Sequence, residues 1–386
     1  MPTRVAVIGA TGSIGAQALD VIRRFPDQFE LVAAVAGSRA DALEEALRPF
    51  PGTRAVLIAP DREVPSTTFV GVEAACELAR SSDVDVVLVG GGGAGALLPT
   101  LAACEAGRLV ALAAKEVLVM AGELVTQTAR EHGARIVPVD SEHSAIWQCL
   151  RGERSESVRR LILTASGGAL RSTPLPDLEA VTPAQALAHP NWRMGPKVTV
   201  DTATMINKGL EVIEAHFLFD IPYERIDVLI HPQSTIHSAV EFCDGTMIAQ
   251  LGVADMRAPI ALAMGDGRRL PGVVEPLQLE QVGRLDFEAV DPARFPALAV
   301  VREAGLRGGA APAVMNAANE IAVAAFLQGQ VAFTEIARLV AKVTRSFQPP
   351  DQVGLEELLA ADGWAREQAT QLVSQGSLST SGVVPV

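Results

Sequence analysis

Tyrosine occurs once in 386 residues, tryptophan three times and cysteine four times. The one tyrosine, Tyr223, has Asp227 four positions on, so the Tyr-x-x-x-Lys pair of a short-chain dehydrogenase is missing. Cys76, Cys104, Cys149 and Cys243 are scattered with no close pair. That spacing suits neither a metal cluster nor a redox pair nor a disulfide framework, and reduced, mostly buried thiols are expected. No Gly-x-Ser-x-Gly turn is present, which argues against a serine hydrolase. Positive charge is in deficit: the formal net charge is −13, the reverse of what sequence-independent nucleic-acid binding needs. A local basic pocket for one small phosphate stays open. Residues 86–104 carry no charge, yet they hold a four-glycine run (90–93) and Pro99. A buried strand, a glycine turn and a helix start fit them better than a membrane span. The first residues run directly into an apolar strand with no signal or transit segment, so a cytoplasmic protein is expected.

What the chain does contain begins with "RVAVIGATGSIGAQALDVIRRF". Val5, Val7 and Ile8 read as a strand; Ala18, Leu19, Ile22 and Phe25 recur at helical spacing. Between them stand Gly9, Gly12 and Gly15, a G-x-x-G-x-x-G variant of the dinucleotide turn. Such a turn lets backbone approach a pyrophosphate and offers it the helix N-terminus. The second strand ends in Gly37, Ser38 and Arg39, where an NAD site would carry an acid. A cation and a hydroxyl suit a 2′-phosphate, so NADP(H) is favoured; a solvated residue at a helix start is the plainer account of Arg39. Strand and helix patterns alternate up to about residue 140, as in a doubly wound parallel sheet. Lys115 and Asp140 both fall at strand ends, where ligands of such sheets sit. "VDSEH" places Asp140, Ser141 and Glu142 together; Asp140 would equally serve as a helix N-cap.

Beyond residue 142 the pattern is mixed. "LILTAS", "KVTVDTA" and "IDVLIHP" read as strands, and "HSAVEFCDGTMIAQLG" as a hairpin turning at Asp244-Gly245. "ASGGAL" is a strand-end loop suited to an anion, or an ordinary glycine turn. "TMINKGLEVIEAHFLF" is a helix with Ile206, Leu210, Ile213 and Phe217 on one face and Asn207, Glu211 and Glu214 on another. Lys208 and Glu211 are a substrate-facing pair or simply an exposed pair on its surface. His189 and Trp192 lie in a proline-bounded loop, either a lid or a packing element. "HPQSTIH" offers His231, Ser234 and His237 just after an apolar strand. The last ninety residues read as a small helical bundle with a frayed tail after Gln375.

The set as a whole resembles the 1-deoxy-D-xylulose 5-phosphate reductoisomerase family. "GATGSIG", "VDSEH", "SGG", "HPNWRMG", "MINKGLE", "LIHPQSTIHS", "DMRAPIA" and "NAANEIAVAAFL" occur in that family's order over nearly the whole chain. The resemblance implies an α/β protein with a Rossmann-like NADPH-binding domain (1–140), a catalytic domain with the metal and substrate site and a lid (141–265), a linker (266–296) and a C-terminal helical bundle (297–386). It implies a homodimer that uses NADPH and Mg²⁺, Mn²⁺ or Co²⁺ to rearrange and reduce 1-deoxy-D-xylulose 5-phosphate to 2-C-methyl-D-erythritol 4-phosphate. Asp140, Glu142 and Glu211 would hold the metal, with Lys115 beside them in the catalytic set. Ser141, Ser166, His189, Trp192, Thr202, Asn207, Lys208, Ser234 and His237 would line the substrate site. Thr11, Gly12, Ser13, Ile14, Gly37, Ser38, Arg39, Lys115, Glu116 and Met256 would contact the cofactor. Several residues depart from the family pattern: Ala114 for Asn, Thr202 for a phosphate-contacting Ser, Ala169-Leu170 for Pro-Phe, Arg193 for a small polar residue, and the long glycine run.

Two other readings compete. A semialdehyde dehydrogenase would need a nucleophilic cysteine in a loop, whereas Cys149 sits in a helical pattern. A non-enzymatic NADP sensor would have no use for three carboxylates and a lid. From Ser38 and Arg39 we expect tighter binding of NADPH than NADH, and Arg39→Ala should erode that preference. One charge-assisted hydrogen bond corresponds to about 10- to 100-fold in affinity; equal wild-type dissociation constants in a fluorescence titration would refute the assignment.

Overall fold

The computed structural model describes residues 1–375 apart from Gly93, Pro190, Asn191, Arg193 and Asp351. The expectations for Arg193, for the fourth glycine of the 90–93 run and for the tail after Gln375 therefore lie outside the described residues. Two compact units emerge: 1–118, 122–151 and 255–277 form the first, and 119–121, 152–254 and 278 onward the second.

The first unit alternates strand and helix: β1 (Thr3–Ile8), α1 (Ser13–Arg24), β2 (Phe29–Ala36), α2 (Ala40–Leu47), β3 (Arg54–Leu57), β4 (Thr68–Val70), α3 (Val72–Arg80), β5 (Val86–Val89), α4 (Leu97–Glu105), β6 (Leu109–Leu112), α5 (Lys115–His132), β7 (Arg135–Pro138) and α6 (Ser141–Cys149). The strands form one seven-stranded sheet in the order β4-β3-β2-β1-β5-β6-β7, parallel throughout. Central strands such as β5 and β6 are wholly buried, which is why they read as unbroken Val and Leu runs rather than alternating ones. The charge-free segment resolves as expected into β5, a glycine turn and α4.

The strand order reverses between β1 and β5, and there the glycines have a steric reason. Gly9 has φ +84°, and a Cβ on it would stand 2.4 Å from the Gly91 nitrogen. A Cβ on Gly15 would stand 2.2 Å from the Gly9 carbonyl oxygen. Only hydrogen at these positions lets the two turns and the start of α1 close on each other.

The second unit contains β8 (Val158–Ala165), α7 (Pro183–Ala186), α8 (Pro196–Thr204), α9 (Ile206–Phe219), β9 (Ile226–Ile230), β10 (Ile236–Phe242) and β11 (Met247–Leu251). After α10 (Arg257–Met264), which belongs to the first unit, come α11 (Leu279–Val282), β12 (Glu288–Ala289), α12 (Pro296–Arg307), α13 (Ala311–Leu327), α14 (Phe333–Ser346) and α15 (Leu355–Ser374). The sheet order is β11-β10-β8-β9-β12. Only β8 and β9 run parallel; the other pairs are antiparallel. β10 and β11 form the expected hairpin at Asp244-Gly245, with Gly245 at φ +85°.

One expectation needs correction. "KVTVDTA" is the helix α8, not a strand: Pro196 opens it, and Thr199, Val200, Asp201, Ala203 and Thr204 are buried in it. Proline at the first turn and tertiary burial outweigh the strand preference of Val and Thr. The chain divides into two compact units, beside which the expected domain boundaries stand as a proposal. Residues 122–151 and 255–277 pack with the first unit, because α10 supplies Ile260, Ala261, Ala263 and Met264 to that unit's core. Arg257 ties it further to Asp20 of α1 at 3.4 Å. Within the expected linker, α11 and β12 form, and Phe295 and Val290 pack with Ala165, Met205 and Ile230 of the second unit. The C-terminal helices lie in the same unit as the β8–β11 sheet, and Gly209 of α9 is pressed against Val301 of α12. Among the described residues no helix is long and apolar enough to cross a membrane.

Gly15→Ala should lower the unfolding midpoint of the first unit, since overpacking against backbone costs about 1–3 kcal/mol. Gly363→Ala, in α15 with open space at its Cβ, should stabilise by up to about 1 kcal/mol. Calorimetry showing the same sign for both would contradict the packing described.

Candidate functional site

Each unit presents polar residues at strand ends, and the second also presents them on α9. In the first, Lys115 opens α5 just after β6, and Asp140 caps α6 just after β7. β6 and β7 are adjacent and parallel, so the two side chains meet, and Lys115 Nζ forms an ion pair with Asp140 Oδ2. Asp140 Oδ1 accepts the Ser141 N–H at 2.9 Å, so the capping role and the charged role coexist. His143, fully buried, places Nδ1 3.9 Å from Asp140 Oδ2. Ser141 Oγ donates to the Glu142 carboxylate. Glu116 is buried and lies beside the glycine turn at Gly92; Ala114, the residue before Lys115, is buried too.

The cofactor candidates sit around the β1 turn. Gly12 is the N-cap of α1, Ser13 its first residue, and Ile14 packs against Gly90. Arg39 caps α2 and its Nη2 reaches the Thr11 carbonyl at 3.4 Å, so the end of β2 and the β1 turn are neighbours. The carbonyls of Gly37 and Ser38 accept from Ala59 and Asp61 at 3.0 Å each. Met256 caps α10 and packs on the core of this unit.

In the second unit Ser166 follows β8. Its Oγ accepts the Gly168 N–H at 3.1 Å and lies 3.0 Å from His189 Nε2. His189 Nδ1 accepts the Trp192 N–H at 3.0 Å, which puts the ring proton on Nε2 and directs it at Ser166. Gly167 and Gly168 have φ of +81° and +69°. A Cβ on Gly168 would stand 2.8 Å from the Thr202 carbonyl oxygen, so the turn lies directly on the end of α8. Thr202 turns its hydroxyl back to the Val198 carbonyl at 2.8 Å; the extra methyl has not removed the hydroxyl, but this bond directs its proton inward.

Next in sequence, Met205 takes a left-handed φ of +66° between α8 and α9. On α9, Asn207 Nδ2 donates to Glu211 Oε1 at 2.6 Å and Lys208 pairs with Glu211 Oε2. The side chains of Lys208 and Glu211 are 5% and 1% exposed, which excludes the reading of a solvated surface pair. A lysine and a glutamate are kept this deep only when mutually neutralised. His237 is buried, with the Trp192 ring centroid 6.2 Å from its own. Ser234 has φ +52°, a left-handed backbone that a non-glycine residue rarely adopts.

Models of the 1-deoxy-D-xylulose 5-phosphate reductoisomerase family match residues 5–122, and models of its C-terminal domains match 136–219 and 251–368. A relative named 1-deoxy-D-xylulose 5-phosphate reductoisomerase from Xanthomonas axonopodis pv. citri is 50% identical over 391 residues, covering 98% of each chain. The chain belongs to the 1-deoxy-D-xylulose 5-phosphate reductoisomerase family. Among solved structures, the family enzyme from Zymomonas mobilis in complex with NADPH superposes with a TM-score of 0.89 at 43% identity, covering 97% of this chain and 99% of the other. A reductoisomerase in complex with NADPH, fosmidomycin and magnesium superposes with a TM-score of 0.90 at 38% identity, covering 96% and 98%.

The sequence reading placed Lys115 with Asp140, Ser166 with His189, and Asn207 and Lys208 with Glu211. It missed Asp201, 1% exposed, which pairs with Lys197 at 3.1 Å and accepts from Asn319 of α13 at 2.8 Å. An acid inside an apolar run of a supposed strand was the available signal. Burial pushes the His189 pKa below its ordinary value. The folded ring is therefore neutral at pH 7, and as pH falls below about 6.5 the unfolded chain takes up a proton that the folded ring refuses. The contribution of His189 to stability thus declines toward acid. An NMR titration midpoint for His189 at or above the free imidazole value would contradict the buried, bonded ring.

Proposed function

We propose that this chain catalyses the NADPH- and divalent-metal-dependent rearrangement and reduction of 1-deoxy-D-xylulose 5-phosphate to 2-C-methyl-D-erythritol 4-phosphate, a step of isoprenoid biosynthesis. The observation that carries the reading is near-full-length similarity to reductoisomerases, one of them solved with NADPH, fosmidomycin and magnesium. The residues present fit both groups. Gly9 and Gly15 leave no room for side chains at the strand-order reversal, and the N-terminus of α1 stands there, as a pyrophosphate requires. Thr11 to Ile14 and Gly37 to Arg39 would contact the cofactor, with Met256 near its nicotinamide; bound NADPH supplies the hydride.

The donors for a cation are carboxylate oxygens, the hard ligands that Mg²⁺ or Mn²⁺ prefers. Asp140 and Glu142 from the first unit and Glu211 from the second would hold it. Such an ion polarises a carbonyl as a Lewis acid when bound. Lys115 pairs with Asp140 and balances its charge. Lys208 and Asn207 orient Glu211, and Lys208, Ser166 and Asn207 offer the cation and donors that a substrate phosphate needs in an acidic chain, joined by Thr202 once its hydroxyl turns from the Val198 carbonyl. Ser141, Ser234 and His237 complete the substrate pocket, while His189 and Trp192 belong to a loop that covers it.

A homodimer working in the cytoplasm completes the proposal. The outer edge strand β11 leaves Met247 and Ile248 exposed at 53% and 41%, apolar surface that a second copy would cover. NADPH oxidation with the deoxyxylulose phosphate substrate, abolished by EDTA and restored by Mg²⁺ or Mn²⁺, is the deciding assay. Asp140→Asn or Glu211→Gln should abolish turnover and weaken metal binding while sparing NADPH binding. A variant Asp140→Asn that keeps metal-dependent activity and only loses thermal stability would reduce Asp140 to a helix cap.

A further inference from the structure

His231 has no role in the chemistry above, yet every polar atom on it is committed. It is fully buried. Its N–H donates to the Ala165 carbonyl at 2.7 Å, and its own carbonyl accepts the Ser234 N–H at 3.0 Å. On the ring, Nδ1 lies 2.8 Å from the Asp286 carbonyl, which can only accept, and Nε2 lies 3.1 Å from the Thr235 N–H, which can only donate. The proton is therefore on Nδ1. The Phe287 ring stacks on this imidazole with centroids 4.9 Å apart and planes 17° from parallel. Asp286 also accepts from Gln233 Nε2 at 2.6 Å, and its N–H donates back to Gln233 Oε1 at 3.3 Å. Immediately after, Glu288 and Ala289 pair with Ile230 and Leu229 as strand β12.

Ser234 sits inside this frame with a left-handed backbone at φ +52°. Such a residue persists where its surroundings over-determine it, and His231 supplies bonds on both sides, to the Ser234 N–H and to the Thr235 N–H. We infer that His231 is a positioning residue that holds the Ser234 turn in its substrate-binding form, and that residues 284–289 are a clasp that holds His231. The inference rests on the proposal that Ser234 lines the substrate pocket. It assigns a specific task to a segment with almost no regular structure: closing the sheet edge behind the turn and fixing the imidazole tautomer.

Two substitutions separate positioning from simple core packing. His231→Gln keeps an acceptor that reaches the Thr235 N–H; His231→Asn keeps a donor toward Asp286 and loses that acceptor. His231→Asn should raise KM for the phosphorylated substrate about 10-fold, as loss of one buried hydrogen bond implies, with KM for NADPH unchanged. His231→Gln should restore KM to within about 3-fold of wild type. Phe287→Ala, at a half-exposed ring, should raise the same KM by a smaller factor, and it keeps the test available if His231→Asn does not fold. Ser234→Ala, measured alongside, should raise KM at least as much as His231→Asn. If Ser234→Ala raises KM but neither His231→Asn nor Phe287→Ala does, the positioning role is overturned and His231 is a core residue only. If Ser234→Ala itself leaves KM unchanged, the pocket assignment beneath falls, and this inference with it.

Discussion

A parallel pair of strands delivers both carboxyl ends to the same side of a sheet, and the candidate residues at strand ends here depend on that constraint. In the first unit β6 and β7 end side by side, so Lys115 and Asp140 meet although twenty-four residues lie between them. The second sheet has a single parallel pair, β8 and β9, with Ala165 opposite Ile230 in register. The residues that follow, Ser166 and His231, consequently open two neighbouring loops, tied by the His231 N–H to the Ala165 carbonyl. Antiparallel pairing there would send the two loops to opposite ends of the sheet.

Burying charge is the second constraint, and the chain meets it by pairing locally. Lys115 faces Asp140, Lys208 faces Glu211 one helical turn away, and Lys197 faces Asp201 on the next turn of α8. Asp140, Glu211 and Asp201 each keep a lysine within their own unit, which offsets the large desolvation cost of an isolated carboxylate. In a chain with a net charge of −13, these three lysines are thereby held at low exposure beside acids of their own unit.

Much of this was legible in the sequence because the signals were local. "GATGSIG" is constrained by backbone contacts within a few residues, and the hairpin at Asp244-Gly245 by the φ that its glycine adopts. Segments whose form is set by distant packing were misread. "KVTVDTA" carries strand-forming residues but is bound by Pro196 and by the burial of Asp201 against Asn319, more than a hundred residues on. No local pattern announces that Ile260 and Met264 belong to the core built by Val7 and Leu19. The motif resemblance supplied the identities of the site residues; composition and periodicity alone left Asp140 open between a ligand-facing acid and a helix cap, and Lys208 open between a substrate-facing and a surface lysine.

The return of residues 255–277 to the first unit has a consequence for biosynthesis. The N-terminal sheet is made first, but α10, which covers part of its core, is made only after residues 152–254. Until then Ile260, Ala263 and Met264 are missing from a hydrophobic surface that includes Val137, Val139 and Ala111. The nascent first unit must wait with that surface uncovered while four of the five strands of the second sheet are synthesised. An early-made unit sealed by a late-made helix is a natural client for a chaperone that shields apolar surface on the growing chain.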